Sequence, residues 1–307
     1  PIQAQIVSDD FNDCALDTGL WTLVDPLGDS TVEITGGGSG DAQVLLSVPA
    51  GPSHDAWAVN NAARLMQPAN DTDFEVEVKF DSQVQQRYQD QGIIIEESSS
   101  NWMRVDILSD GTNTRIFAAV IVDGSPSIKI NKTINSGAPI YLNVSRSGDN
   151  FSVSYSYNGV DWTVAGAFTH VLSVNAVGPY AGNHYNGATS PAHTAVIDYF
   201  FNMQSPIEPE DGAAGPVLDV NVSGGGTVSV DPEQNFYTCD ELVELTATAD
   251  AGWQFAGWSG DLSGSDNPAS LTMDADKAVT ATFSETGATQ YTLTASVVGG
   301  NGTLSPT

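Results

Sequence analysis

Lysine and arginine are scarce: the 307 residues hold 9 of them against 38 aspartates and glutamates, for a formal net charge of −29. A nucleic-acid binder needs bases to replace counterions on phosphate, so that class of partner is excluded. An anionic membrane surface would repel the chain, and no apolar run approaches the roughly 18 residues that span a bilayer. Cysteine is limited to Cys14 and Cys239, too few for a disulfide framework or a Cys-rich zinc site. A bridge between them would have to clip two domains together; the plainer reading is two small buried hydrophobes. No segment longer than a dozen residues carries a helical period. The Gly-x-Ser-x-Gly elbow, the His-Glu-x-x-His helix and the Gly-rich phosphate loop are all missing. His54, His170, His184 and His193 share no local metal-ligand spacing.

Alternation is abundant. Phe74, Val76, Val78 and Phe80 alternate with Glu75, Glu77 and Lys79, and Met103, Val105 and Ile107 with Trp102, Arg104 and Asp106. Ile140 to Val144 and Phe151 to Tyr155 repeat the pattern. Each predicts a strand with one face on a core and one in water. Turn signals separate them: Ser109-Asp110-Gly111, Val122-Asp123-Gly124, Ser147-Gly148 and Tyr157-Asn158-Gly159, the last with the Asn-Gly pair of a tight hairpin. So many strands in about 200 residues predict an all-β, two-sheet sandwich or jelly roll.

The strand-rich region is expected over 1–203. Residues 204–216, with three prolines, acids and small residues, read as a linker. A small β-rich unit is expected over 217–285. Gly226-Thr227-Val228-Ser229 is echoed by Gly302-Thr303-Leu304-Ser305, so 286–307 read as the start of a second, truncated repeat. Pro1 to Ile6 lacks a basic, apolar leader, and the chain reads as a mature secreted protein or a piece of a longer one. The acids divide unevenly: 23 against 8 bases in 1–202, and 15 against 1 in 203–307.

Several residues carry a resemblance. Asp9-Asp10-Phe11-Asn12, Trp21, His54-Asp55-Ala56-Trp57, Arg64-Leu65-Met66-Gln67, Gln91-Gly92-Ile93-Ile94, Asn101-Trp102 with Arg104, and Tyr155 to Trp162 occur in an order that resembles a bacterial family of concanavalin-like sandwich domains of unknown function. That family is related in fold to legume lectins, laminin-G modules and family-16 glucanases. The resemblance implies a jelly roll attached to secreted polysaccharide-degrading enzymes, and hence carbohydrate recognition by association. From Gly225 to Phe283 the sequence resembles the divergent internalin-type B repeat of bacterial surface proteins, with Gly252-Trp253-Gln254-Phe255-Ala256-Gly257-Trp258 at its centre. That resemblance implies a spacer. Trp253 and Trp258 read as core packing before a sugar platform.

Sugar binding needs an aromatic face for the C–H side of a pyranose and planar polar groups for its hydroxyls. Trp57 is the candidate platform, with His54, Asn60 and Arg64 as hydrogen-bonding neighbours. Arg104 and Asp106, two apart on a strand, point the same way and are expected to join Gln91 in a groove. Asn183 and His184 sit on a late loop, Tyr180 to Gly187, that suits recognition. Each set has a plainer reading, as core or surface ion pair. The Glu-x-Asp-x-x-Glu strand motif of family-16 glucanases is missing, and Glu96 and Glu97, adjacent on a strand, face opposite ways. Acids and carbonyls suit calcium over zinc. Similar sandwiches often hold calcium where first and last strands meet, which singles out Asp9, Asp10 and Asp198.

The expectation is therefore a non-catalytic carbohydrate-binding module with a spacer repeat, secreted or at the cell surface, a monomer within a multidomain parent. Its partner would be a polysaccharide or oligosaccharide. A glycoside hydrolase or polysaccharide lyase on the same scaffold, and a surface adhesin segment, are the alternatives.

Overall fold

The alternating segments form strands as their patterns require. In the computed structural model, which describes residues 5–184, 189–210, 212 and 215–287, the described residues contain strands and turns but no helix. Two compact units result. Among the described residues, the first comprises those up to 217 with 234–241 and 272–276; the second holds 218–233, 242–271 and 277–287.

The first unit contains two seven-stranded antiparallel sheets. One runs in the order β1 (Thr22–Val24), β4 (Ala63–Pro68), β13 (Ala176–Asn183), β6 (Gln89–Glu96), β7 (Trp102–Ser109), β8 (Thr114–Val122), β9 (Ser125–Ile134). The other runs β12 (Thr163–Thr169), β11 (Asn150–Ser156), β10 (Ile140–Ser147), β5 (Phe74–Phe80), β14 (His193–Asn202), β3 (Gln43–Val48), β2 (Thr31–Thr35). Their facing sides share one core, in which Val76, Val78 and Phe80 of β5 meet Ile93 and Ile95 of β6 and Val105 of β7. This is the jelly-roll sandwich that the alternation predicts.

Two local expectations change. Only Gly159 of the Asn158-Gly159 pair takes a positive φ, 71°. The side-chain oxygen of Asn158 accepts the N–H groups of Val160 (3.0 Å) and Asp161 (2.8 Å), so the connection to β12 is a longer Asx-stabilised loop, not a two-residue turn. The second change concerns β7, expected to be wet on one face. It is buried on both faces through most of its length, as is its neighbour β6. Ile94, Trp102, Phe117, Ala119 and Tyr180 form a second apolar cluster on the outer side of the first sheet, with Ala56 and Ala62 laid against it. The covering segment 54–62 is far away in sequence, so the alternation of a single strand could not reveal it.

Cys14 and Cys239 are joined in a disulfide with Cα atoms 5.3 Å apart, and both lie in the first unit. The bridge expected as one reading is therefore formed, but it does not clip two domains together, because 234–241 belong to the first unit.

The second unit is built on two three-stranded sheets, β15 (Leu218–Ser223)–β20 (Lys277–Glu285)–β18 (Trp253–Gly260) and β16 (Gly226–Asp231)–β17 (Glu241–Ala249)–β19 (Ala269–Met273). Val243, Leu245, Leu271, Val279, Ala281 and Phe283 are among its buried residues. Trp258 is buried too, donating Nε1–H to the Asp266 carbonyl (2.8 Å) beside Phe255, which supports the packing role for this ring. Trp253 is half-buried. Of the expected second repeat, residues 288–307 lie outside the described residues.

Candidate functional site

The outer side of the first sheet carries a buried guanidinium ringed by acids. Register sets Gly92 of β6 opposite Asp106 of β7, and Gly182 of β13 opposite Asp90 of β6. A Cβ at Gly92 would fall 2.7 Å from the Asp106 Cβ, and one at Gly182 would fall 2.3 Å from an Asp90 oxygen. The two glycines therefore leave room for both carboxylates, and Arg104 fills the space between them. Its Nε donates to Asp106 (2.7 Å), Nη1 to Asp55 (3.3 Å), and Nη2 lies 3.2 Å from Asp90. Its Cζ is 5.5 Å from the Phe117 ring centre and 5.7 Å from that of Tyr180. Arg104, Asp90 and Asp106 are all buried. Charge pairing accounts for their presence there, since unpaired ions would be expelled from such a site.

Burial raises the Asp90 carboxyl to about 7, opposed by Arg104 and aided by the neighbouring Asp106 and Asp55. The folded protein thus holds a proton near neutrality that an unfolded aspartate, at about 3.9, has lost. This contribution to stability is complete in acid and disappears as pH rises through about 7. Asp90→Asn is therefore expected to gain on the wild type in melting temperature between about pH 5 and pH 8. Parallel pH profiles for the two proteins would refute the assignment.

Above this cluster opens a cavity of about 380 Å³. Trp57, Tyr88, Phe117 and Leu108 supply its apolar lining; Asp90, Arg104, Asp110, Arg115, Asn131 and His184 supply the polar part. Arg115 bridges strands, with Nε donating to Asn131 (2.5 Å) and Nη1 to Asp110 (3.0 Å). The N–H groups of Asn113 and Thr112 hold the Asp110 carboxyl well below the usual carboxylate range. His184 stands with Nδ1 2.9 Å from the Ser53 hydroxyl and 3.6 Å from Asp55, its ring 5.6 Å from Tyr88. The Trp57 ring lies 6.0 Å from Phe117.

Of the residues singled out by sequence, Trp57, Arg104 and His184 meet at this cavity, and Asp106 lies beneath it as a partner of Arg104. The others are placed elsewhere. Gln91 faces the opposite way from Arg104 and Asp106, because its register partner is Ile107. It bonds Ser82 and lies 3.0 Å from His193 Nε2, and burial lowers that imidazole to about 4. His54 and Asn183 are fully buried. Asn183 accepts the His54 N–H (2.9 Å) and donates to the carbonyls of Pro49 and Pro191, while His54 Nε2 lies 2.7 Å from Asp29. They clamp loops and present nothing to a ligand. Asn60 and Arg64 both hold Glu96, at 3.1 and 2.8 Å, pinning the covering segment to the sheet. Residues 185–188 of the late loop lie outside the described residues.

Asp9, Asp10 and Asp198 do not converge. The start of the chain does pair with β14, Asp9 bridging Phe200. However, Asp9 accepts the Trp21 indole N–H (2.6 Å), Asp10 accepts the Asn12 N–H, and Asp198, set in a bulge of β14, is paired with Lys79. Among the described residues no group of three or more His, Cys, Asp or Glu is placed to hold a metal ion.

Tyr88, Asp90, Arg115, Asn131 and Phe117 are cavity residues that the sequence reading missed. Gly92 and Gly182 inside strand patterns were the available signal for Asp90, since a strand glycine marks close approach. Nothing local joins Arg115 to Asn131.

With this geometry in place, comparison with known proteins becomes informative. Residues 46–184 match the family described as protein of unknown function (DUF1349), a concanavalin-like fold family. Residues 217–287 match the divergent InlB B-repeat domain. The cavity and its acid-ringed arginine thus fall largely within the first match. Among solved structures, the chain is similar to the GH43 BlXynB protein from Bacillus licheniformis, at 18% identity and a TM-score of 0.50 over 65% of this chain and 39% of that one. It is also similar to xylan beta-1,4-xylosidase from Bacillus halodurans C-125, at 16% identity and a TM-score of 0.49 over 66% and 40% of the two chains. A third is the CBM2 module of the Lactobacillus casei BL23 phage J-1 evolved Dit, at 8% identity and a TM-score of 0.40, over 65% and 98%. The chain spans about two fifths of the length of both Bacillus proteins. At these identities the likeness is one of fold alone. No curated protein matches the chain.

Proposed function

We propose that the sandwich is a carbohydrate-binding module and that its ligand occupies the cavity on the outer side of the first sheet. The observation that carries this reading is the combination of three aromatic rings, Trp57, Tyr88 and Phe117, with planar polar groups already fixed by bonds to their neighbours. Rings offer flat apolar faces to sugar C–H groups, and fixed amide, guanidinium and carboxylate groups bond hydroxyls at little entropic cost. At about 380 Å³ the cavity lies near the small end of ligand pockets, about 300–1,000 Å³, which suits one or two sugar units of a longer polymer. The Cys14–Cys239 bridge supports an oxidising compartment, secreted or at the cell surface. The acidic repeat then serves as a soluble spacer.

Trp57→Ala is expected to abolish retardation in polysaccharide affinity gels while moving the melting temperature by only a few degrees, because the half-buried ring packs at the margin of the outer cluster. Unchanged retardation would place the ligand elsewhere.

Hydrolysis is the second reading, favoured by one observation: Asp90 and Asp110 line the same cavity with proton affinities driven in opposite directions. Both carboxylates are engaged by arginines, which favours binding without chemistry. Release of reducing sugar that Asp90→Asn abolishes would reverse that preference.

A further inference from the structure

We infer that the cavity selects neutral sugars and rejects uronic acids. The inference rests on the carbohydrate reading and names the ligand class of that same site. Four carboxylates lie in or directly behind the cavity: Asp55, Asp90, Asp106 and Asp110. The arginines that would attract a uronate are already committed. All three nitrogens of Arg104 face aspartates, at 2.7, 3.2 and 3.3 Å. Arg115 spends Nη1 on Asp110 and Nε on Asn131. Arg87, the third arginine nearby, lies over the Tyr88 ring at 4.6 Å and donates to its hydroxyl. With Asp90 part-protonated near neutrality, Asp55, Asp106 and Asp110 still outnumber Arg104 and Arg115, the two guanidiniums that line the cavity, and leave the site negative. An entering carboxylate would meet these acids as like charges, and to pair fully with Arg104 or Arg115 it would have to displace a protein carboxylate, losing one charge-assisted bond for each one made. A neutral hydroxyl loses nothing comparable, because it donates to the aspartates and accepts from the outer edge of Arg115.

Calorimetric titration of the full chain separates the possibilities. The probes are neutral gluco-, xylo- and galacto-oligosaccharides and galacturonate or glucuronate oligomers of equal length. The titrations are run in about 0.3 M salt, where the Debye length of roughly 6 Å suppresses the long-range repulsion of the acidic surface. At least one neutral series is expected to bind tenfold or more tightly than any uronate. Asp110→Asn keeps an acceptor for the turn N–H groups but releases Arg115 from its carboxylate. It is expected to narrow that ratio by about tenfold through a gain for the uronates alone. Uronates that bind the wild type as well as or better than every neutral series would overturn the inference, as would a ratio that Asp110→Asn leaves unmoved. Binding of no sugar of either kind overturns the carbohydrate reading itself, whereas uronate-only binding overturns just the selectivity.

Discussion

Replacing Arg104 with methionine is expected to lower the melting temperature of the sandwich by about 10 °C, the equivalent of about 3–5 kcal/mol in a unit of this size. Asp55, Asp90 and Asp106 share this one guanidinium, and two of the three are almost wholly buried. Without it they would repel one another in a poorly solvated site. The buried Asp90 and Asp106 would relieve the repulsion by binding protons, so their carboxyls, already raised by burial, rise further in the variant. Because raised acids favour folding at low pH, the deficit is expected to be largest near pH 8 and to shrink towards pH 5. Arg104→Lys is expected to restore little, since one ammonium cannot replace three nitrogens aimed at three carboxylates. Adding Asp106→Leu to Arg104→Met is expected to recover part of the loss, because the cost lies in the orphaned charge more than in the missing pair. Thermal unfolding across this pH range checks all four expectations. A uniform, pH-independent loss in Arg104→Met would mean that packing against Phe117 and Tyr180, and not charge, dominates.

The second large effect is expected from the disulfide. Cys14→Ser, or reduction of the wild type, is expected to destabilise the first unit by about 2–5 kcal/mol. The bridge joins residues 225 apart, and a loop that long carries a high closure entropy in the unfolded chain. Both sulfurs belong to half-buried residues, so mild reductant should reach them without prior unfolding. Calorimetry with and without reductant gives the shift for the wild type. Cys14→Ser should match the reduced protein and be insensitive to reductant. A wild type that melts identically in both conditions would show that the bridge contributes nothing to stability.

The sequence alone determined the class of fold, because its information is local. A strand that buries one face must alternate, so β5, β10 and β11 are legible from the alternation at Phe74 to Phe80, Ile140 to Val144 and Phe151 to Tyr155. The shortage of bases is equally local, a matter of composition that needs no structure to read. Trp57, Arg104 and His184 were legible as candidates by residue type, yet the same reasoning also picked His54, Gln91 and Asn183. Only register separates these sets. Gln91 and Asp90 are neighbours in sequence, but a pleat turns them to opposite sides of the sheet, one to Ser82 and the core, the other to Arg104. The acid cage needs Asp55 from a loop, Asp90 from β6 and Asp106 from β7, and the cavity wall needs Asn131 from β9. The disulfide, too, joins residues with no pattern between them. Those pairings are non-local, fixed when two sheets close over one core, and for that reason the tertiary structure alone decided where this protein gathers its charge.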